Sequence, residues 1–366
     1  MKTTNIILVD LVHPSISKEE ADGNLKETLS LIDTFNGGKL VEVISRRVQP
    51  HPRMYIGTGK AAEIAIIIEE KDIDIVIVNT IAKPTQLYKL LQTFWPSNPN
   101  IQVWDRVDLI LNIFGKHART AEAKIQIDLA KMRHMGPRMY GLAKTLGRQG
   151  GGIGGRGIGE TNVELMKRHW RVQMKQAKDE LAKLTTHHKQ QLERRRLQGF
   201  KTVSIVGYTN AGKTTLFNIL TNKKNYVKNE LFATLDSAVG HIYLTDKKTP
   251  VAITDTIGFI QNLPASLIDA FKSTLIESIH ADVLLHVIDV SDPRMNEKKR
   301  VVEQILTELG IEYKPVINVL NKFDAATPAD KQELHKGVPK NMIVISAKIG
   351  QGIEELKKMI GDTLSS

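Results

Sequence analysis

Apolar and polar positions in the first 116 residues alternate between two periods. Four short apolar runs are typical of buried strands, and the segments between them repeat their apolar residues every three or four positions, as helices covering a sheet do. This alternation predicts a small α/β domain over residues 1–116. The predicted strands are Ile6–Leu11, Leu40–Ile44, Ile73–Val78 and Ile101–Val103, and the predicted helices are Lys26–Thr34, Lys60–Glu70 and Thr85–Phe94.

Residues 117–200 carry two one-sided helical stripes, which predict a helical hairpin as a second domain. We expect the first helix to end at Gly136 and Pro137, because proline interrupts helical hydrogen bonding. Its apolar stripe is Ala121, Ile125, Leu129, Met132 and Met135. The second stripe is Met166, Trp170, Met174, Ala177, Leu181, Leu184, His188 and Leu192. Core packing is favoured over ligand contact for the Met and Trp positions.

The net charge of +11 is concentrated in this middle region. Residues 131–200 contain 16 lysines and arginines against five acidic residues, so the rest of the chain is balanced. A basic module between two nearly neutral ones favours contact with a polyanion.

A glycine-rich segment, Gly141–Glu160, separates the two stripes and contains nine glycines. Exposed amides and guanidinium groups suit an RNA backbone, while a plain flexible linker is the alternative. Such contacts read phosphates and not base sequence. The predicted RNA-binding residues in and after this segment are Lys144, Arg148, Arg156, Lys167, Arg168 and Arg171.

A third domain is predicted over residues 201–366, where a phosphate-loop motif, Gly207–Thr214, follows the strand Lys201–Val206 and precedes the helical run Thr215–Leu220. In this context the loop amides bind phosphates, Lys213 neutralises the terminal ones, and Thr214 binds Mg²⁺. The predicted nucleotide contacts are Gly207, Tyr208, Thr209, Asn210, Ala211, Gly212, Lys213, Thr214 and Thr215.

A second motif, Asp255–Gly258, follows the predicted strand Val251–Thr254. Asp255 is expected to hold Mg²⁺, and the Gly258 amide to contact the terminal phosphate of the nucleotide. Thr234 lies between the two motifs, where a switch threonine would complete the magnesium shell. Lys213, Thr234 and Gly258 are therefore the predicted catalytic residues.

The base is specified by Asn321–Asp324, at the end of the apolar run Pro315–Leu320. The Asp324 carboxylate can accept hydrogen bonds from both nitrogen donors on the guanine edge, a pair that adenine lacks, so GTP and GDP are favoured over ATP. Asn321 is expected to tie the loops together and Lys322 to cover the ring. Ser346, Ala347 and Lys348, after the strand Met342–Ile345, are expected to close over the base.

Phe259 follows Gly258, where many small GTPases have a glutamine that orients the attacking water. We therefore expect slow intrinsic hydrolysis, with a partner surface, a K⁺ ion or a remodelled switch supplying the missing element. Asn210 is a candidate K⁺ ligand, and a loop-capping role is an equal alternative.

The composition narrows the class of protein. The sequence has no cysteine, which fits a reducing compartment. No stretch approaches the ~18 to 20 apolar residues of a membrane span, and the apolar run Ile6–Val9 is too short for a signal peptide. We expect a monomeric, cytoplasmic protein without a membrane span.

Beyond these motifs, the chain resembles the HflX family of GTPases along nearly its whole length. Arg156–Thr161 is the most specific element of the resemblance, because phosphate loops occur in many families. The resemblance implies a GTPase that binds the large ribosomal subunit, places its hairpin near the peptidyl transferase centre, and splits or rescues stalled ribosomes. It is carried by Arg53–Lys60, Ala121–Leu129, Gly150–Glu164, Phe232–Asp236 and Asp255–Phe259.

The family is also described as hydrolysing ATP through the N-terminal region. Gly57–Lys60 is the candidate for that activity here, although a plain strand-to-helix turn is favoured because the long glycine–lysine spacing is missing. An alternative function is an RNA chaperone or ATP-driven RNA helicase with a regulatory GTPase domain. A GTPase that serves RNA modification is a third, without a supporting motif.

Overall fold

The computed structural model describes residues 3–35, 37–149, 158–223, 238–244, 251–261, 267, 275–335 and 337–365. The chain forms two compact units. One comprises Met1–Lys116 and Ile127–Asp179, and the other His117–Gln126 and Glu180–Ser366. None of the helices within the described ranges combines the length and apolar composition that a membrane span needs.

The N-terminal domain is the predicted α/β unit, built on a parallel four-stranded sheet of order β2-β1-β3-β4. The two central strands are apolar on both faces, since helices cover both sides of a parallel sheet. Its elements are β1 (Thr4–Val12), α1 (Lys18–Thr34), β2 (Gly38–Arg47), α2 (Thr58–Glu70), β3 (Ile75–Val78), α3 (Pro84–Phe94), β4 (Gln102–Asp105) and α4 (Arg106–His117).

Helix α4 was not predicted, because it begins directly at the end of β4 without a loop. Two aspartates cap its first turn, and each carboxylate accepts a hydrogen bond from the backbone amide of the other residue. The Asp105 amide donates to the Asp108 carboxylate over 3.0 Å, and the Asp108 amide donates to Asp105 Oδ1 over 2.9 Å. These bonds satisfy backbone donors of the first turn, as a capping box does.

The hairpin consists of α5 (Ala121–Gln149) and α6 (Ile158–Leu197). The prediction that the first helix ends at Gly136 and Pro137 is wrong, because α5 continues through both residues. Arg138, the residue after the proline, forms ion pairs with Asp105 and Asp108, and these contacts stabilise α5 at the point where proline lacks a hydrogen-bond donor. Part of the predicted glycine-rich loop is therefore helical.

Trp170 of the second stripe contacts the first helix of the hairpin, as predicted. Its indole Nε1 donates to the Met132 carbonyl of α5 over 3.3 Å. Helix α6 ends before Gly199, whose φ of +78° is a left-handed conformation that glycine adopts without strain.

The C-terminal domain has a six-stranded sheet of order β10-β9-β8-β5-β7-β6, parallel except for the antiparallel edge pair β6–β7. This confirms the predicted GTPase-type fold with a mostly parallel sheet. Its strands are β5 (Thr202–Gly207), β6 (Ala238–Ile242), β7 (Val251–Asp255), β8 (Val283–Asp289), β9 (Val316–Asn321) and β10 (Met342–Val344). Its helices are α7 (Lys213–Thr221), α8 (Ile276–His280), α9 (Met295–Glu308), α10 (Pro328–His335) and α11 (Ile353–Thr363), with a 3-10 turn at Phe323–Ala325.

Strand β5 lies between β7 and β8, and the core beneath it is formed by apolar residues of these strands and of α7 and α11. The carboxyl ends of the parallel strands meet at one edge of the sheet, where ligands of such folds bind. The predicted motifs follow β5, β7, β9 and β10, so the topology gathers them at this edge.

Candidate nucleotide site

The phosphate loop leaves β5 at a glycine that no other residue could replace without a shift. Gly207 has φ of +153°, and a Cβ there would lie 2.5 Å from the Val287 carbonyl oxygen of β8. Gly212 has φ of +93°, and a Cβ there would overlap the Asn321 side-chain amide. Glycine is thus required at both positions, because the loop passes close to the neighbouring strand β8 and to Asn321 at the end of β9.

Lys213 is the first residue of α7 and is only 7% exposed. Its ammonium donates to the Tyr208 carbonyl over 2.7 Å. Burial lowers the pKa of Lys213 to about 8, because the charged form is poorly solvated there. A polyphosphate would supply the negative charge that this ammonium needs.

Thr214 and Asp255, the two residues predicted to share a magnesium ion, lie within hydrogen-bond distance of each other. The Thr214 hydroxyl donates to Asp255 Oδ2 over 2.7 Å, and Asp255 is fully buried at the end of β7. The register of β5 with β7 pairs Ile205 with Asp255 and so fixes the carboxylate beside the loop.

Gly258 lies against the phosphate loop. A Cβ at Gly258 would lie 2.8 Å from both Lys213 Nζ and Thr209 Cγ2, so only glycine fits. The next residue, Phe259, is 3% exposed. Its amide donates to the Gly207 carbonyl over 3.1 Å, and its carbonyl accepts from the Thr209 amide over 2.7 Å. This backbone pairing joins the Gly258 segment to the loop, and the phenyl ring carries no group that orients water.

The base-recognition residues form a connected set. Asn321 ties two loops together: its amide donates to the Ala211 carbonyl over 2.9 Å, and its Oδ1 accepts from the Ala347 amide over 3.0 Å. The Ser346 hydroxyl donates to Asp324 Oδ1 over 2.6 Å, which orients the carboxylate. Lys322, at φ of +64°, pairs with Asp289 over 2.7 Å.

The remaining predicted contacts are distributed around this set. Asn210 is exposed at φ of +60°, Thr215 follows Thr214 in α7, and Lys348 is exposed after Ala347. Thr234 and Arg156 lie outside the described residues.

The predicted RNA-binding residues lie on the hairpin, away in sequence from the nucleotide motifs. Lys144 and Arg148 fall in α5, and only their backbone is described. On α6, Arg168, Arg171, Lys175 and Lys178 are exposed and recur at helical spacing, which places them on one face. Among the described residues, no carboxylate lies within ion-pair distance of these four. Lys167 beside them is half-buried.

Two features near the loop were missed by the sequence interpretation. The Tyr208 hydroxyl accepts a hydrogen bond from the Gln261 amide over 2.7 Å, across a separation of 53 residues that leaves no local signal. His286 of β8 is 2% exposed, and burial lowers its pKa to about 4, so the ring is neutral near pH 7.

A second polar cluster lies at the carboxyl end of β4. His134 Nε2 lies 3.0 Å from Asp105 Oδ1 and 3.5 Å from Asp108 Oδ1, an arrangement that resembles a metal-ligand set. Burial would raise the pKa of Asp105, but the bond to His134 and the charge of Arg138 hold it below its usual range. Burial and the Asp105 charge raise the pKa of Asp108. Arg138 thus occupies the position that a cation would take.

Three family models match consecutive parts of the chain. Residues 22–115 match a model described as GTP-binding GTPase N-terminal, and residues 117–195 match the GTP-binding GTPase Middle Region. Residues 202–322 match a model described as 50S ribosome-binding GTPase.

Curated relatives extend over most of the chain. A GTPase HflX from Caldanaerobacter subterraneus subsp. tengcongensis is 40% identical over 346 residues, covering 94% of this chain and 78% of that protein. A GTPase HflX from Escherichia coli is 36% identical over 359 residues, covering 97% and 82%. The fold is similar to the crystal structure of a GTP-binding protein from the hyperthermophilic archaeon Sulfolobus solfataricus in complex with GDP, with a TM-score of 0.51, 25% identity, and coverage of 100% and 99%.

Proposed function

Because the chain belongs to the HflX family of GTPases and is a GTP-hydrolysing enzyme, we propose that its hydrolysis acts on ribosomes. It binds the large ribosomal subunit and its rRNA, and uses GTP binding and hydrolysis to split or rescue stalled ribosomes. The observation that carries this proposal is the match of residues 202–322 to the 50S ribosome-binding GTPase model. We propose three domains, 1–116, 117–200 and 201–366, in a monomer that acts in the cytoplasm with the ribosomes.

In this proposal the phosphate loop and Lys213 bind the nucleotide phosphates, and Asp324 selects guanine. The Thr214 hydroxyl and the Asp255 carboxylate, 2.7 Å apart, are the oxygen donors that Mg²⁺ prefers, so these residues fit the ion. Bound Mg²⁺ would neutralise charge on the phosphate oxygens. Thr234 is proposed as a further ligand. The Gly258 amide then senses the terminal phosphate, which distinguishes GTP from GDP.

The exposed basic face of α6 supports an RNA-rich partner. Four exposed cations on one helix face, which form no ion pair with a carboxylate in the described ranges, attract a phosphate backbone and release its counterions, so binding should weaken as salt rises. Lys167 and the hairpin residues Lys144, Arg148 and Arg156 are proposed to extend this surface. Because Phe259 cannot orient water, a ribosomal surface is proposed to complete the catalytic site.

The proposal is tested by GTP turnover with and without purified large subunits. We expect stimulation of about 1,000-fold or more, in the range by which a partner supplied in trans accelerates other GTPases. Sedimentation with the subunits should be stronger with a non-hydrolysable GTP analogue than with GDP. The proposal would be contradicted if large subunits did not raise GTP turnover, or if binding to them were equal with the GTP analogue and with GDP.

A charge-reversal pair tests the basic face directly. Arg168→Glu with Arg171→Glu should abolish co-sedimentation while leaving intrinsic turnover intact. The matched control, Lys18→Glu with Lys340→Glu, makes the same charge change at exposed positions elsewhere and should bind normally. Splitting by Lys213→Ala at the parental rate, followed by light scattering, would instead favour an RNA chaperone.

A further inference from the structure

Tyr208, the second residue of the phosphate loop, contacts both the loop's lysine and the segment that carries Gly258. Its backbone carbonyl accepts a hydrogen bond from the Lys213 ammonium over 2.7 Å, and its side-chain hydroxyl accepts one from the Gln261 backbone amide over 2.7 Å. The side chain is 6% exposed. One buried residue therefore joins the group that meets the phosphates to the segment that follows Gly258.

The tyrosine ring is itself held from helix α9. The Lys298 ammonium lies 4.9 Å from the centroid of the ring, a cation–π contact, and Lys298 is fixed in turn by an ion pair with Asp292. The Gln261 side chain donates to Glu297 of the same helix. The segment Gly258–Gln261 is thus anchored near its start by the backbone of Phe259 and at its end by Tyr208 and Glu297.

The anchoring has a geometric result at Gly258. A Cβ there would lie 2.8 Å from Lys213 Nζ, so the glycine lies directly against the ammonium. A terminal phosphate that both groups contact must bind where they meet. Donors that are fixed in advance stabilise developing charge without reorganisation, which is worth most in a buried site.

We propose that the Tyr208 hydroxyl is a positioning group for the terminal phosphate of GTP, holding the Gly258 segment beside Lys213. The inference rests on the nucleotide site assigned under the proposed function and does not depend on the ribosome. GDP lacks the γ-phosphate, which is the terminal phosphate of GTP, so the hydroxyl stabilises the complex with GTP and leaves the complex with GDP unchanged.

Tyr208→Phe tests this role, because it keeps the ring beneath Lys298 and removes the hydroxyl that accepts from the Gln261 backbone amide. The affinity for a non-hydrolysable GTP analogue should fall about fivefold, the equivalent of one net hydrogen bond, while the affinity for GDP stays the same. The kcat/KM for GTP should fall by a similar factor. Glu297→Ala, which removes the second anchor, should shift the analogue-to-GDP ratio in the same direction. Tyr243→Phe, at an exposed tyrosine, is the matched control and should change neither affinity.

Fluorescence titration with both nucleotides, in the absence of ribosomes, separates the outcomes. An unchanged ratio would overturn the proposal, and equal loss of both affinities would show that the hydroxyl only shapes the loop. A ratio that rises would show that it holds the segment away from the phosphate. A parent protein that binds both nucleotides but ignores ribosomes would contradict the proposed function and leave this ratio as a separate result.

Discussion

The two parallel sheets both place polar side chains at the carboxyl ends of their strands, but they balance the charges differently. In the N-terminal sheet, Arg106 is buried in an ion pair with Glu27 and also donates to Thr28 Oγ1 over 2.6 Å. In the C-terminal sheet, the buried ammonium of Lys213 donates to a neutral carbonyl, and its pKa is lowered. The cation of the N-terminal edge is therefore held in an ion pair, whereas Lys213 forms none with a carboxylate of the described residues and remains able to bind a phosphate.

The largest effect is expected from removing Arg106, the buried cation of the N-terminal sheet. Arg106→Ala leaves the Glu27 carboxylate buried without its guanidinium, and should lower the free energy of unfolding of this domain by about 3 to 5 kcal/mol. Urea unfolding followed by the fluorescence of Trp95 and Trp104 measures the loss. GTP turnover of the folded variant should be unchanged.

Replacing both partners of the Arg106–Glu27 ion pair tests whether the loss of stability comes from an unpaired buried charge. Arg106→Met with Glu27→Met removes both charges together and should recover most of the lost stability. A loss below about 1 kcal/mol for Arg106→Ala, or no recovery in the double variant, would show that the pair is not what balances this edge.

The reverse outcome is expected for Lys213→Ala in the C-terminal sheet. GTP turnover should fall about 100- to 1,000-fold, the usual effect of removing one preorganised donor. Stability should fall less than in Arg106→Ala, because the ammonium is poorly solvated and forms no ion pair with a carboxylate of the described residues. Lys357→Ala, at a surface ion pair of α11, is the control for the loss of a lysine. A Lys213→Ala variant that retains a tenth of parental turnover would contradict the assigned role.

The smallest expected effect is a pH dependence of nucleotide binding. The pKa of Lys213 is lowered to about 8, so the free protein loses this positive charge as the pH rises through that value. Bound phosphates favour the protonated form, so affinity for GTP should be full near pH 7 and about tenfold weaker at pH 9. Isothermal titration calorimetry across this range provides the measurement. The Lys213→Ala variant should bind GTP weakly, with an affinity that does not change with pH over this range. An equally steep pH dependence in that variant would show that another group is responsible.

Much of the C-terminal site could be predicted from the sequence, because phosphate and guanine recognition require fixed residue types at short spacing. Gly207, Lys213 and Asp324 are identified by their local motifs alone. The Tyr208–Gln261 bond could not be predicted, since its partners are distant in sequence and neither residue is diagnostic. The strands of the N-terminal sheet follow from their apolar runs, as do β5, β7, β9 and β10, whereas β6 and β8 were not predicted.

The hairpin was predicted less well for the same reason. Proline in a helical pattern is a local signal to stop, and the contacts that override it come from Asp105 and Asp108, about thirty residues earlier in the chain. Helix α4 was missed because its capping aspartates stand where a strand ends. Long-range pairing carries α5 past Pro137, whereas α4 is started by a local exchange between two aspartates three residues apart.

The ion pairs of Arg138 also have a mechanical consequence. Proline within a helix is where bending is normally concentrated, because one hydrogen bond is missing there. Here Arg138, the residue after Pro137, is ion-paired with Asp105 and Asp108 at the start of α4, so α5 is held against α4 at the point where it would otherwise bend most easily.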